Sequence, residues 1–426
     1  MHFQLSPSQQ QVVDHRGGHL QVIACAGSGK TESISRRVAA LIAEGEPPES
    51  IIAFTFTEKA AAELKDRIYR RVEEVKGKDF LGQLGPMYVG TIHGYCFSML
   101  QEQIPSYGNF DVIDPHRHVA LLQREAKRLN LKRFKGGLYN SIAAFSQTVD
   151  IIGNELIESD QLPDDLRETY TAYLDTLDRY HLLTFSLIIQ KAVQELEKPE
   201  VFERIHGPLR HLIVDEFQDI NPAQERLIRL LGTDPVQVAV VGDDDQAIYQ
   251  WRGSVTDHII HFTEQWPNVT QVELGTNRRS VPIIVQQAND FAQTIDPRLA
   301  KSMHASRDHQ GPEMVPWSAK NAEDEAEKIA EQIARLHEHG FKYRDMAILF
   351  RSVRSSCGPL LEALENREIP ANCGGRTGLF LQLEARLLGR SYAWLVDNEW
   401  RDARFGGDSE EVALSSLLSE YETLFG

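Results

Sequence analysis

A glycine-rich loop between a predicted strand and a predicted helix constrains this chain more than any other segment. The loop reads Ala24-Cys25-Ala26-Gly27-Ser28-Gly29-Lys30-Thr31. Residues 20–24 are apolar and predict a buried strand, and residues 32–42 have the spacing of an amphipathic helix. The glycines allow a tight turn whose N–H groups converge, and the helix N-terminus adds partial positive charge. This order is typical of a P-loop, in which Lys30 reaches phosphate oxygens and the Thr31 hydroxyl binds Mg²⁺. Ala24 stands where the pattern usually has its first glycine, and it is small enough for the turn.

Composition narrows the class of protein. The 426 residues carry a formal net charge of −17, which argues against a protein that coats nucleic acid or binds a membrane surface generally. Residues 1–10 show no signal-peptide pattern, and no apolar run approaches the length of a membrane span. The four cysteines have neither metal-ligand spacing nor a disulfide pattern, so we expect a reducing, cytoplasmic setting.

The apolar runs predict an α/β fold. They lie at residues 20–24, 51–56, 88–91, 212–215, 236–241, 269–274 and 346–350. Several are continuous rather than alternating, which is typical of a parallel sheet covered on both faces. Helical patterns at 58–75 and 223–231 separate them, and residues 115–199 read as a helical insertion. The runs at 269–274 and 346–350 predict a second α/β unit, and residues 409–425 a final helix.

Two further strand ends carry polar groups suited to nucleotide chemistry. Asp215 and Glu216 follow an apolar run, where Asp215 would hold Mg²⁺ and Glu216 would orient or deprotonate an attacking water. Gln246 follows the next run and would bond the γ-phosphate or that water. An acidic pair after a strand is weak evidence by itself, but it is strong evidence downstream of a P-loop.

Aromatic and cationic side chains cluster just after Gln246. Tyr249, Trp251 and Arg252 occupy one short segment, which suits base stacking on a single nucleic-acid strand. An aromatic core cluster is the alternative interpretation. A run of basic residues in the helical insertion likewise fits either a phosphate-binding face or an ordinary solvated helix face. That run comprises Arg117, Arg124, Lys127, Arg128, Lys132, Arg133 and Lys135.

Taken in order, these segments resemble the motifs of superfamily 1 DNA helicases of the UvrD/Rep/PcrA type, from the N-terminus to about residue 385. The resemblance implies that Gln9 bonds the adenine edge and that Arg279, within residues 277–280, contacts the γ-phosphate. It also implies DNA contacts for residues 54–61, including Phe56 and Thr57, and for Thr91 and His93. Later segments that match are residues 347–351, 369–370 and Gly374-Gly375.

The resemblance also implies a site, an activity and an architecture. The implied catalytic residues are Lys30, Glu216, Gln246 and Arg279, and the implied metal ligands are Thr31 and Asp215. The implied nucleotide-binding set is Gln9, Ala24, Cys25, Ala26, Gly27, Ser28, Gly29, Lys30, Thr31, Arg37 and Arg278. The expected activity is ATP- and Mg²⁺-dependent 3′→5′ translocation or unwinding, stimulated by single-stranded or 3′-tailed DNA, in repair or recombination. The expected architecture is a P-loop NTPase with RecA-like parallel-sheet domains at 1–114 plus 205–275 and at 276–395, a helical insertion at 115–204, and a further subdomain or linker at 396–426.

Two departures from the family pattern bear on these expectations. Arg278 stands where the family has an adenine-stacking Tyr, and Glu32 where it often has an Arg, which predicts weaker base selectivity. Motifs V and VI are not found in the 426 residues, so we expect the N-terminal portion of a longer helicase. The alternatives are a motor completed by a partner, a nucleotide-dependent DNA-binding or regulatory module without unwinding activity, and a defence-system subunit.

Overall fold

The computed structural model describes residues 4–133, 137–250, 253–308, 314–373, 383–396, 398–400 and 410–425. The chain forms two compact units, Met1–Met314 and Val315–Gly426. Predictions made for Lys135, Trp251, Arg252, Gly374 and Gly375 lie outside the described residues. Among the described helices, none is both long enough and apolar enough to cross a lipid bilayer.

A parallel sheet of six strands, in the spatial order β3-β2-β6-β7-β1-β8, is the frame of the first unit. The strands of this unit are β1 (His19–Ala24), β2 (Ile51–Thr55), β3 (Tyr88–Thr91), β4 (Asp111–Val112), β5 (Leu182–Leu183), β6 (His211–Val214), β7 (Gln237–Gly242), β8 (Val269–Leu274), β9 (Thr276–Asn277) and β10 (His304–Ala305). All five neighbouring pairs of the sheet run parallel, so the α/β class predicted from the sequence is confirmed.

Helices cover both faces of this sheet. They are α1 (Pro7–Asp14), α2 (Lys30–Glu44), α3 (Glu58–Lys76), α4 (Ile92–Gln103), α5 (Pro115–Glu125), α6 (Gly137–Asn154), α7 (Asp164–Arg179), α8 (Phe185–Leu196), α9 (Pro199–His206), α10 (Pro222–Leu231), α11 (Asp257–Ile260), α12 (Phe262–Gln265) and α13 (Pro282–Ala292). Successive residues of β1 lie in the apolar cores on opposite faces of the sheet. Val22 shares one core with Ile34 of α2, and Ile23 lies in the other. Burial on both faces explains why the strands read as continuous apolar runs.

Helices α5 to α9 occupy the segment predicted as a helical insertion. One detail differs, because β5 lies inside that segment and pairs in parallel with β4. The buried side chains of the insertion, such as Phe145 and Tyr173, belong to the same apolar cluster as Phe54 of the sheet. The insertion is therefore packed as part of the first unit, and its standing as a subdomain at 115–204 stays a prediction.

Of the two strands predicted for the second α/β unit, residues 269–274 form a strand that belongs to the first sheet, and residues 346–350 do not form a strand. Residues 269–274 form β8, which pairs in register with β1 from His19–Val269 to Ala24–Leu274 and so completes the first sheet. This strand alternates buried and exposed residues, as an edge strand does. Residues 346–350 lie outside any helix or strand, with Leu349 almost fully exposed. The compact units divide after Met314, and a domain beginning at residue 276 stays a prediction.

The second unit is mainly helical in its described residues. Its elements are α14 (Ala322–Glu338), α15 (Val353–Ser356), α16 (Gly358–Glu365), α17 (Leu383–Val396), β11 (Glu399–Trp400), β12 (Glu410–Glu411) and α18 (Leu414–Phe425). Helices α14 and α16 share one apolar cluster, which includes Ala330 and Leu364. Helices α17 and α18 share another with Trp400 of β11. The final predicted helix is confirmed as α18.

Candidate functional site

Three segments with candidate chemistry meet at one edge of the parallel sheet. The P-loop follows β1, Asp215 and Glu216 follow β6, and residues 243–246 follow β7. These three strands are neighbours in the order β6-β7-β1. Ligands of open parallel sheets bind outside the carboxyl ends of the strands, which is where these segments lie. The tertiary structure thus brings together groups that are about 200 positions apart in the sequence.

The P-loop needs its glycines for two reasons. Gly27 and Gly29 have φ angles of +67° and +89°, in the left-handed region that other residues avoid. A Cβ on Gly27 would lie 2.8 Å from the Cβ of Arg279, and one on Gly29 would lie 2.5 Å from Nε2 of Gln9. Helix α2 begins at Lys30, so Thr31 lies in its first turn. The loop is therefore shaped by its backbone and enclosed by two neighbouring segments.

Replacing Gly27 with alanine is expected to destabilise the protein and to weaken nucleotide binding. The positive φ alone costs about 1 to 2 kcal/mol, and the crowding against Arg279 adds to it. Gly17→Ala is a matched control, because Gly17 has φ +77° but open space around its missing Cβ. Thermal unfolding and fluorescent-nucleotide titration would measure both effects. Equal losses in the two variants would show that the approach of Arg279 does not constrain the loop.

Lys30 and Glu216 form an ion pair across the site. Lys30 Nζ lies 2.9 Å from Oε2 of Glu216, and the two side chains are 13% and 32% exposed. Burial by itself would lower the pKa of Lys30, but the carboxylates of Glu216 and Asp215 outweigh burial and raise it. Burial would raise the pKa of Glu216, but the Lys30 ammonium and the Gln218 amide outweigh it and lower that pKa. Both groups are therefore charged at neutral pH.

The structure fits a divalent cation beside Asp215. This carboxyl is buried, and its Oδ1 accepts a hydrogen bond from the Glu216 backbone N–H at 3.0 Å. Burial, and then the charge of Glu216, raise the pKa of Asp215 to about 7. A bound cation would relieve the cost of that buried charge. Asp215 and the Thr31 hydroxyl are the groups that would hold Mg²⁺ here, and this assignment stays a prediction.

An unpartnered hydroxyl in the P-loop fits a bound phosphate. Ser28 is buried, and its Oγ has no hydrogen-bond partner among the described residues. Buried polar groups without partners are rare in native structures and call for an explanation. A phosphate oxygen in the loop would supply an acceptor for this hydroxyl.

Gln218 links two of the strand ends, a role that sequence reasoning missed. Its Nε2 donates to Glu216 Oε2 at 2.9 Å and to Asp219 Oδ2 at 3.2 Å. Its Oε1 accepts from the Asp243 backbone N–H at 3.0 Å. The side chain is 1% exposed, so this bridge is internal. The available signal was its place in the sequence, two residues after Glu216.

Arg278 and Arg279 lie against the P-loop. The backbone N–H of Arg278 donates to Gly27 O at 2.9 Å, and its Nη1 donates to Ser28 O at 3.1 Å. Asn277 Oδ1 accepts from the backbone N–H groups of Arg279 and Ser280 at 2.9 and 2.8 Å, which fixes the turn. The Arg279 side chain is exposed. The turn therefore presents a guanidinium next to the loop, within the first unit.

Two predicted nucleotide-binding residues have other contacts in the structure. Gln9 is buried, donates from Nε2 to Ser28 O at 3.0 Å and accepts from Ser6 N at 3.0 Å, so it supports the loop. Its contact with adenine stays a prediction. Arg37 donates to the carbonyls of Val12 and His15 at 3.0 and 2.6 Å and so holds α1 against α2. Its guanidinium is engaged there, and a contact of Arg37 with nucleotide stays a prediction.

Glu32 is also engaged elsewhere. Its carboxylate pairs with Arg36 at 2.5 Å and with Arg71 at 2.8 Å. The pair with Arg36 lies within α2, and the pair with Arg71 ties α2 to α3. The weaker base selectivity expected from Glu32 and Arg278 stays a prediction.

The predicted DNA-binding residues that the structure describes follow the ends of β2, β3 and β7 along the chain. Phe56 and Tyr249 are half-buried with ring centroids 4.9 Å apart, although they are distant in the sequence. Thr91 caps α4, and its Oγ1 donates to Glu58 at 2.7 Å. His93 packs edge-on against a ring of α8, and burial lowers its pKa to about 4, so it is neutral at pH 7. Thr57 is exposed and caps α3.

Gln246 is held by a neighbour rather than projecting freely. Its Nε2 donates to Oδ2 of Asp243, three residues earlier. The Gln246 side chain is otherwise exposed at the sheet edge. Its position next to β1 and β6 agrees with the predicted role near the phosphates, which stays a prediction.

Comparison with known proteins assigns most of the chain to one family. Residues 5–267 match the model of the UvrD/REP helicase N-terminal domain, and residues 272–397 match the UvrD-like helicase C-terminal domain.

Individual relatives agree with the family models. DNA helicase II of Haemophilus influenzae is 32% identical over 418 residues, which cover 93% of this chain and 54% of that protein. DNA helicase II of Escherichia coli is 32% identical over 411 residues, covering 94% and 55%. ATP-dependent DNA helicase PcrA of Staphylococcus aureus is 30% identical over 357 residues, covering 82% and 48%. The chain spans about half the length of these curated relatives. The family resemblance inferred from the sequence is confirmed: this chain belongs to the UvrD/Rep family of DNA helicases.

Proposed function

We propose that this chain binds and hydrolyses ATP in response to single-stranded DNA, as the 3′→5′ motor portion of a DNA helicase that acts in repair or recombination. The observation that carries the proposal is the Lys30–Glu216 ion pair at the P-loop, with the Arg278–Arg279 turn packed against the same loop. The names of the relatives support it, since two are DNA helicases II and one is an ATP-dependent DNA helicase.

Different residues of the site would bind the phosphates and activate the attacking water. Backbone N–H groups of the P-loop and the Lys30 ammonium hold the phosphates. Mg²⁺, when bound by Asp215 and Thr31, would neutralise phosphate charge. Phosphate oxygens are strong partners for Lys30, so nucleotide binding would draw this ammonium away from Glu216. The freed Glu216 carboxylate would then accept the proton of an attacking water.

Two further groups would act on the terminal phosphate. Arg279 would stabilise the charge that develops as the phosphoryl group transfers. Gln246 would orient the attacking water or bond the phosphate. Gln246 follows β7 and Arg279 follows β8 and β9, and β7 and β8 flank the P-loop strand β1, so a change at the phosphate would reach the proposed DNA-binding strand ends through the same sheet edge.

The test is phosphate release with and without a single-stranded oligonucleotide in the presence of Mg²⁺. Wild-type protein is expected to release phosphate faster when the oligonucleotide is present, and a Glu216→Gln variant is expected to stay near the blank in both cases. Polarity would be measured by displacement of streptavidin, which is expected from a 5′-biotinylated end and not from a 3′ end. Nucleotide-dependent DNA binding without stimulated hydrolysis would contradict the motor proposal and favour a binding module.

Replacing Phe56 with alanine is expected to weaken single-stranded DNA binding about tenfold or more. Base–aromatic stacking is worth about 1 to 3 kcal/mol per base, and Phe56 forms one half of the ring pair with Tyr249. Fluorescence anisotropy of a labelled oligonucleotide would measure the affinity. Phe202→Ala is the control, because Phe202 also belongs to a ring pair but lies on α9 with His206. Equal affinities of the two variants would remove the Phe56–Tyr249 pair from the DNA site.

A further inference from the structure

A buried lysine occupies the centre of three consecutive carboxylates at the end of β7. One carboxylate oxygen from each of Asp243, Asp244 and Asp245 lies within 4.8 Å of the other two, a spacing suited to a cation. Lys301 Nζ lies 3.2 Å from Asp243 and from Asp245 and bonds Asp244. The Lys301 side chain is 1% exposed, so its ammonium is an internal cation at this site.

The segment that carries Lys301 is fastened to the same carboxylates at further points. Arg298 binds Asp245 with two parallel hydrogen bonds, 2.7 Å from Nε and 3.0 Å from Nη2. The backbone N–H of Leu299 donates to Asp244 Oδ2 at 2.8 Å. A guanidinium that binds a carboxylate through two hydrogen bonds fixes the relative orientation of the two groups and also neutralises the carboxylate charge. Residues 298–301 therefore form a defined cover over the end of β7.

Asp243 connects this cover to a residue of the candidate active site. Its Oδ1 faces Lys301, while its Oδ2 accepts the hydrogen bond from the Gln246 amide. Asp243 is 3% exposed, so little water reaches its two oxygens, and the other donor to Oδ1 is the Asp245 backbone N–H at 3.3 Å. A change in the partner of Oδ1 would let the carboxylate rotate and would move the Gln246 amide with it.

The other end of the segment reaches the Arg279 turn. β10, which follows Lys301, pairs in parallel with β9, and Ser306 N donates to Asn277 O at 2.9 Å. Asn277 in turn fixes the Arg279 backbone through its Oδ1. Residues 298–306 thus contact Asp243, which holds Gln246, at one end and Asn277, which holds the Arg279 backbone, at the other.

We propose that Lys301 is a positioning residue whose ammonium serves as the cation of the Asp243–Asp245 site and, through Asp243, sets the Gln246 amide for the reaction. The kinetic part of this inference rests on the proposed function. The part in which the Lys301 ammonium occupies the place of a cation does not depend on hydrolysis. The flexible four-carbon side chain and compact ammonium of lysine allow Lys301 to place a single positive charge between the three carboxylates.

A double-mutant cycle tests the kinetic consequence in the full chain. Lys301→Met is expected to lower kcat of DNA-stimulated phosphate release about tenfold, with little change in KM for ATP. Adding Lys301→Met to Gln246→Ala is expected to lower kcat no further, because the two residues act in series. Losses that add would overturn the proposal. Lys198→Met is the control, because it also removes one lysine and its ion pair, with Glu195 on α8.

Manganese binding gives a readout that does not need ATP turnover. Without nucleotide, Lys301→Met is expected to show a saturable rise in melting temperature with Mn²⁺ that exceeds the rise of wild type. Adding Asp244→Asn to Lys301→Met is expected to remove that excess. If the single variant fails to fold, the charge-balanced Lys301→Met with Asp244→Asn serves for the kinetics and is expected to stay slow. Wild-type kcat in this double variant, or no excess Mn²⁺ response in Lys301→Met, would overturn the proposal.

Discussion

Replacing Glu216 with glutamine is expected to lower DNA-stimulated phosphate release about 10³-fold while leaving nucleotide binding in place. Glutamine keeps the size of the side chain and an oxygen that can accept a hydrogen bond from Lys30. It loses the negative charge and the capacity to accept a proton from water. The structure gives this charge a clear cause, because the Lys30 ammonium and the Gln218 amide lower the pKa of Glu216 despite its burial.

Single-turnover phosphate release and fluorescent-nucleotide titration would measure the two parts of this prediction. Glu225→Gln is a matched control, because Glu225 is also partly buried and ion-paired, with Arg229 on α10. It lies outside the sheet edge that holds the site, so the wild-type rate is expected there. A Glu216→Gln variant that hydrolyses ATP at the wild-type rate would exclude Glu216 as the base.

Replacing Arg279 with alanine is expected to lower kcat by about 10³-fold or more, with a smaller effect on KM for ATP. An arginine directed at a transferring phosphoryl group contributes about 10³ to 10⁵ in kcat. The Arg279 Cβ lies 2.8 Å from where a Cβ on Gly27 would be, so its side chain starts directly beside the P-loop. Lysine is expected to restore little, because it lacks the planar, two-pronged donor geometry.

Arg307→Ala is the control for this experiment. Arg307 belongs to the same region and donates to the Arg278 carbonyl at 3.3 Å, but its guanidinium makes that contact from an exposed position. Steady-state kinetics of both variants would separate kcat from KM. Similar losses for Arg279→Ala and Arg307→Ala would indicate that the turn matters only as a structural support.

Much of the site was predictable because the motifs are local. Gly27, Gly29 and Lys30 act through the backbone and first helical turn of one short segment, and Asp215 and Glu216 occupy one strand end. The spacing of such groups is readable from the sequence. The prediction of a strand at 346–350 was wrong because strand formation is not local. An apolar run forms a strand only where a neighbouring strand pairs with its backbone hydrogen-bonding groups.

Several contacts between these segments have no local signal in the sequence. The Phe56–Tyr249 ring pair, the Gln218 bridge and the seating of Lys301 among three carboxylates join residues from different strand ends. Arg37 shows that closeness in the sequence is also insufficient. It lies only a few residues after the P-loop, yet its guanidinium donates to a backbone carbonyl of α1. Contacts of this kind depend on which elements are neighbours in space.

The sequence by itself determined the class of fold, the P-loop, the two carboxylates after β6 and the family. These follow from residue type and spacing within single segments, where backbone geometry leaves few choices. Only the tertiary structure decided that 269–274 closes the first sheet and that Lys301 fills the carboxylate site after β7. The physical reason is that strand order and the burial of charge are properties of the packed chain, set by which partner can satisfy each hydrogen bond and each charge away from water.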